Sequence, residues 1–273
     1  MRGKAIHVPL LIFCLISGVA SAAENPPIFD GHIHYNDDVW AAISPQAALK
    51  ILDQANVTRA LVSSTPNEGT RNLHALAPHR VIAEIRPYRT QADRSGWFND
   101  PEIVKFVEDE LKRGIYRAIG EFHLHGNQAQ TPPVKRLVEL AVARDLPLHA
   151  HSDERAVEGL YAHHVKARVI WAHAGMSSAP ETVGRLLEKY PTLIAELSYR
   201  YDIAPGGKLD PAWRALFLRH GDRFILGTDT WTPSRWNELP QMMRTVRGWL
   251  AQLPAEVAEN IAYRNAERLF PAR

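Results

Sequence analysis

The chain has 273 residues, 45% of them hydrophobic and 23% charged, with a formal net charge of +2 and one cysteine. That is enough apolar material for a large core, while the balanced charge excludes the strongly basic face that nucleic acid or an anionic membrane demands. Without a second cysteine the chain has no internal disulfide, and its stability must come from packing.

The first 22 residues, "MRGKAIHVPLLIFCLISGVASA", place Arg2 and Lys4 before an apolar run from Val8 to Val19 and end in Ala20-Ser21-Ala22. This is the pattern of a secretory signal peptide, and the run is too short for a membrane span. Cleavage is expected after Ala22. It leaves residues 23–273 as one domain of zero net charge, because both charged residues removed are basic. The only cysteine, Cys14, leaves with it, so the mature chain has neither a thiolate for zinc nor a cysteine nucleophile. The expected location is the periplasm or the medium, with no stable membrane anchor.

From there, strand and helix patterns alternate. "PPIFDGHIH" is followed by the helical "SPQAALKILDQANV", then "TRALVSSTP" by the weaker helix "NEGTRNLHALAPH". "HRVIAEIRPY" precedes "PEIVKFVEDELKRG", "YRAIGEFHLH" precedes "PPVKRLVELAVARD", and "LPLHAHSD" precedes "DERAVEGLYAHHV". "ARVIWAHAG" precedes "APETVGRLLEKY", "TLIAELSY" precedes "DPAWRALFLRHGD", and "RFILGTDT" is the eighth apolar run. The tail "LPAEVAENIAYRNAERLF" reads as further helices. Ser44-Pro45, Asp100-Pro101 and Asp210-Pro211 are helix starts with proline at the first helical position. Eight strands alternating with helices predict an α/β fold, a single (β/α)8 TIM barrel with extra C-terminal helices. No glycine-rich phosphate loop follows the first strand, which disfavours a doubly wound sheet.

The polar residues cluster at the C-terminal strand ends, which in such a barrel share one face. Asp30, His32 and His34 alternate at the first, and strand period directs all three to one side. Glu121, His123 and His125 end the fourth, His149 and His151 the fifth, His173 the sixth and Asp229 the eighth. Of His149 and His151, the latter lies nearer the strand end and is preferred as a ligand. An ion pair with Arg86 is a competing role for Glu121. His123 and His125 are expected to touch substrate or support ligands. His74, His79, His163, His164 and His220 fall in helices or loops and read as surface. Trp231 and Trp236 follow the eighth strand and are candidates for a pocket wall.

The set "DGHIH", "GEFHLH", "HAHSD", "WAHAG" and "LGTDT", in that order, resembles the amidohydrolase superfamily of metal-dependent TIM-barrel hydrolases. The ending "NIAYRNAERLF" is similar to the close of its amidohydrolase-2 branch. The resemblance implies metal ligation by His32, His34, His151, His173 and Asp229. Glu121 matches a strand-four glutamate of TatD-like relatives that can bridge two ions. Imidazole and carboxylate donors suit Zn²⁺, one ion or two, with Mn²⁺ or Fe²⁺ as alternatives.

The chemistry expected is attack by metal-activated water on a small ester, lactone or amide. Asp229 is the expected proton carrier, and His173 or His123 a stabiliser of the developing oxyanion. Arg86 and Arg200 are candidates to grip a substrate carboxylate, and Trp231 a further substrate contact. The expected partner is a small molecule and not nucleic acid. Rival readings are non-oxidative decarboxylation, TatD-like phosphoester cleavage and metal or ligand binding without catalysis.

Overall fold

The computed structural model describes residues 26–272, so the expected signal segment and its cleavage point lie outside the described residues. Each of the eight apolar runs contains a strand: β1 Ile28–His34, β2 Val57–Ser63, β3 Val81–Ile85, β4 Tyr116–Leu124, β5 Leu148–Ser152, β6 Val169–Trp171, β7 Leu193–Glu196 and β8 Phe224–Ile225. They pair in parallel in chain order. β8 is shorter than the sequence suggests, yet the residues after it close the seam. Gly31 N–H donates to Leu226 O (2.7 Å), Asp229 N–H to His32 O (2.8 Å) and His34 N–H to Thr230 O (2.9 Å). The fold is the expected (β/α)8 barrel.

The helices are α1 Asp37–Ala42, α2 Pro45–Gln54, α3 Glu68–Leu76, α4 Glu102–Leu111, α5 Pro132–Ala143, α6 Glu154–His163, α7 Pro180–Lys189, α8 Pro211–His220, α9 Pro233–Leu250, α10 Ala255–Glu259 and α11 Asn265–Leu269. Capping follows the sequence signals. Ser44 Oγ accepts from Ala47 N–H, and the Asp210 carboxylate accepts from Ala212 and Trp213 N–H. At α4 the start moves one residue, because Asp100 accepts from Glu102 N–H and leaves Pro101 outside the helix. The 18-residue α9 is absent from the sequence expectations, since Pro240 interrupts its pattern. Its signals are the Thr232 cap, Pro233 at the first position, and buried Trp236, Leu239 and Met243 at helical spacing.

Inside the barrel, Phe29, Leu61, Ile82, Ala118, Ile170 and Ile225 form an apolar floor, one residue from each of six strands. Ala266 and Phe270, four residues apart at the C-terminus, plug it, with Phe270 stacked on Phe29 at 6.0 Å. This explains the asparagine-alanine-x-x-leucine-phenylalanine ending. The Asn265 amide donates to Phe224 O (2.6 Å) and Gly221 O (2.8 Å), tying the plug to the approach of β8. Asn265→Ala strands both carbonyls and is expected to cost about 1–3 kcal/mol. Urea unfolding checks it: the midpoint should fall at constant slope, and an unmoved midpoint contradicts the account.

Candidate metal centre

Delivering side chains from β1 and β4 to the barrel mouth takes a change of parity. Phe29 and Ala118 face the floor, yet His32, His34, Glu121 and His123, of opposite parity, also face inward. Register shifts between Asp30 and Ile33 in β1, and between Gly120 and Phe122 in β4, supply the switch. A Cβ at Gly120 would lie 2.4 Å from His149 O at a φ of +152°, so only glycine fits the second bulge. The expected common face for Asp30, His32 and His34 is therefore corrected. The Asp30 carboxylate turns to Thr228, accepting from its N–H (3.0 Å) and Oγ1 (2.7 Å), and burial raises its pKa to about 7.

Above the floor six side chains converge. His32 and His34 bring their Nε2 atoms to 3.2 Å, with Asp229 Oδ1 at 3.5 and 3.1 Å from them. Glu121 Oε2 lies 3.3 Å from His34 Nε2, and Oε1 lies 3.6 Å from His32 Nε2. On the other side His151 Nδ1 is 3.0 Å from Glu121 Oε1 and 3.1 Å from His173 Nε2. Asp229 and His173 reach this point from left-handed backbone, at φ +46° and +58°. Donor atoms about 2.0–2.1 Å from a tetrahedral zinc lie roughly 3.3 Å from one another. The spacing across this cage fits such an ion.

Hydrogen bonds on the far ring nitrogens fix which lone pairs face inward. His32 Nδ1 lies 3.0 Å from Glu196 Oε2; an ionised carboxylate only accepts, so Nδ1 carries the proton and Nε2 offers its lone pair. His173 Nδ1 faces Ser198 Oγ (2.8 Å) and the Ser198 carbonyl (3.3 Å), with the same result. His34 Nδ1 is held by Ser63 Oγ at 2.9 Å, and the Trp236 indole N–H donates to His34 O (3.0 Å). Such outer partners orient metal-binding imidazoles and raise their basicity.

The electrostatics are those of a cation site. Burial opposes protonation of His32, yet Asp229, Glu121 and Glu196 together raise its pKa well above the usual value. Burial likewise opposes ionisation of Glu121, but His32, His151 and His173 hold its pKa well below the carboxylate range. For Asp229 burial is outweighed by His32 and His34. For Glu196 it is outweighed by His32 first, and the carboxyl is held down to about 2.

Other residues fall outside the cage. His149 lies below it, its ring 4.5 Å from His32 and its Nδ1 3.3 Å from Glu84 Oε2. Arg86 is buried against Glu121, donating to Oε2 (3.0 Å) and to the main-chain oxygen (2.9 Å). Arg200, expected to meet substrate, does not: its guanidinium is spent on Asp202 and the carbonyls of His173, Ala174 and Ser178, away from the cavity. His125 is exposed just past β4, outside the cavity lining, with its ring edge-on to His151 at 6.1 Å. Trp236 is buried behind His34, whereas Trp231 stands at the rim. His74 and His163 are half-buried and bonded to Val81 O and Ala129 O, so they tie elements together.

A cavity of about 440 Å³ opens above the cage. Its wall includes His123, whose ring stacks on His151 at 4.4 Å and whose pKa burial lowers to about 3. Glu196, Ser63, Ser198, Arg94, Met176 and Tyr199 escaped the sequence reading. Glu196 carried a legible signal, a carboxylate inside the apolar run "LIAEL".

No curated protein matches the sequence. Among solved structures, an amidohydrolase from Burkholderia multivorans with bound zinc shares 13% identity at a TM-score of 0.56, covering 91% of this chain and 100% of that one. A probable 2-pyrone-4,6-dicarboxylic acid hydrolase from Acinetobacter baumannii, solved with citric acid, shares 15% at 0.59, covering 90% and 99%. A beta-aspartyl dipeptidase from Fervidobacterium islandicum shares 16% at 0.57, covering 89% and 72%. These likenesses concern the fold. The family model described as amidohydrolase matches residues 29–272, nearly all that the structure describes. The chain therefore belongs to the amidohydrolase family of metal-dependent hydrolases.

Proposed function

We propose that this is an exported zinc enzyme that cleaves a small ester, lactone or amide. The observation that supports it is the cage of six side chains, whose donor atoms lie at mutual distances that suit first-row metal ligation. Six donors exceed the four that a zinc site uses, so we assign two ions. His32, His34 and Asp229 would hold one ion and His151 and His173 the other, with the Glu121 carboxylate between the two sets. Arg86 fixes the plane of that carboxylate and so serves the cage, whatever else it meets in the cavity.

A cation bound here supplies a Lewis acid and lowers the pKa of a coordinated water to about 7. The remaining work belongs to the side chains. Asp229 is the most exposed cage carboxylate, with 13% of its side chain accessible against 3% for Glu121. It faces both the ligand set and the cavity, which suits it to take the proton of the attacking water and return it to the leaving group. His173 is sealed, and its Nε2 points into the cage, so we keep it as a ligand rather than an oxyanion contact. Glu196 holds the tautomer of His32. Export rests on residues 1–22.

Recovered from an osmotic-shock fraction of bacterial cells, the mature protein is expected to begin at Ala23 and to hold about two zinc ions. Glu121→Gln should reduce that to one, read by elemental analysis; one ion in the wild type would overturn the two-ion assignment. Asp229→Asn should lower kcat on a responsive lactone, ester or amide by about 10²- to 10⁴-fold while zinc content persists. Wild-type turnover in that variant, or CO₂ release without consumption of water, counts against the reading. Glu196→Gln, which keeps the shape but loses the acceptor charge, should weaken zinc affinity about 10- to 100-fold in competition with a chelator. Unchanged affinity would mean that the Glu196–His32 contact is incidental.

A further inference from the structure

Among the described residues, one cation of the cavity wall has no carboxylate to neutralise it. Arg94 lies in the short turn Gln91–Ser95, exposed, and among the described residues it has no carboxylate partner. Its single hydrogen bond runs from a terminal nitrogen to Nε2 of His123, at 3.0 Å. A guanidinium carries five N–H donors in a fork, and a neutral imidazole nitrogen uses only one of them.

The isolation of Arg94 is built in. The neighbouring acid, Asp93, is taken by Arg89, which donates from Nε (3.1 Å) and Nη2 (2.8 Å) and also grips Asp100 (2.6 Å). Asp93 in turn accepts from the backbone N–H of Arg89 (2.7 Å) and Thr90 (3.3 Å), which ties it to the start of the turn. Arg86, the other cavity arginine, is neutralised by Glu121. Arg94 and Gln91 both line the cavity beside His123, which stacks on the ligand candidate His151. The charge thus stands about one imidazole ring outward from the cage.

The other walls differ in chemistry. Asp37 and Asp38 border the β1 side and repel an anionic end from it. Met176, Tyr199 and Trp231 form an apolar wall, with Met176 44% and Trp231 46% exposed and the Trp231 indole braced on Tyr199 OH at 2.9 Å.

We infer that Arg94 is the carboxylate-recognition residue of this cavity, and that the substrate is an organic acid whose scissile bond lies a few atoms from its carboxylate. The carboxylate displaces His123 Nε2 as the acceptor, replacing a single bond to a neutral imidazole with a paired contact between two ions. Any apolar portion rests on the Met176–Trp231 wall. This deepens the hydrolase reading and rests on it for the word substrate, while the recognition itself has a readout of its own.

The test uses the zinc-loaded full mature chain and two arms. In the first, calorimetry compares succinate, glutarate and adipate with their isosteric monoamides, so that one carboxylate remains for the metal in every ligand. At one chain length or more the diacid should bind about tenfold tighter, and Arg94→Gln, with zinc content unchanged, should bring that ratio near one. Arg94→Lys should keep part of it, having charge without the fork. No diacid preference in the wild type, or a preference that survives Arg94→Gln, overturns the inference. In the second arm, the kcat/KM ratio of mono-4-nitrophenyl glutarate to 4-nitrophenyl butyrate should collapse in Arg94→Gln. Diacid preference without turnover of these esters or of any lactone or amide tried would fell the hydrolase reading and leave Arg94 standing; turnover without preference would do the reverse.

Discussion

Three carboxylates and three imidazoles share one nearly dry volume at the barrel mouth, and their mutual attraction is what the rest of the site depends on. Glu121, Glu196, His32, His34 and His173 are buried, and Asp229 nearly so. Any one alone would shed its charge, because desolvating an ion costs far more than folding can supply. Together they hold the carboxylates ionised and raise the proton affinity of His32. A group of acids and neutral nitrogen bases arranged this way is satisfied by a proton or by a cation. The inward lone pairs on His32 and His173, fixed by Glu196 and Ser198 on the opposite ring nitrogens, favour the cation.

The barrel keeps this polar layer apart from its apolar base. Six strands contribute to the floor, and the C-terminal Ala266 and Phe270 seal it. The polar layer begins directly above, with His149 and Glu84 beneath His32. Packing at the base can then stabilise the molecule while the mouth is shaped for chemistry. A family ending that has no contact with the site is accounted for by this plug alone.

Strand order, barrel class and the convergence of the six cage residues were legible because polar side chains at the ends of apolar runs are rare and were repeated. Their spacing in the chain did not matter once the parallel topology brought the ends together. What sequence period concealed was the bulge. Alternation grouped Asp30 with His32 and His34, but one extra residue in β1 turned Asp30 toward Thr228. Helix α9 was hidden by Pro240, which reads as a stop although the buried positions continue through it. Glu196 was visible in "LIAEL" by the sign that exposed Glu121, but its strand carries no histidine to draw attention to it.

The arginines show where sequence proximity misleads. Arg86 and Arg200 follow strands three and seven, as a ligand-gripping residue should, and both are buried and paired within the protein, although Arg86 still borders the cavity. Buried, each guanidinium needs acceptors, and the protein supplies them: Glu121 for Arg86, and Asp202 with the carbonyls of the His173 turn for Arg200. Each therefore stiffens the element that carries a cage residue. A cation kept for a ligand must instead be solvated and held away from fixed acids. Arg94 meets that condition because Arg89 claims Asp93 and Asp100. The charge that matters most for selectivity thus lies farther out on a loop, where its own pairing is incomplete, while the charges just past the strands are paired and brace the residues of the cage.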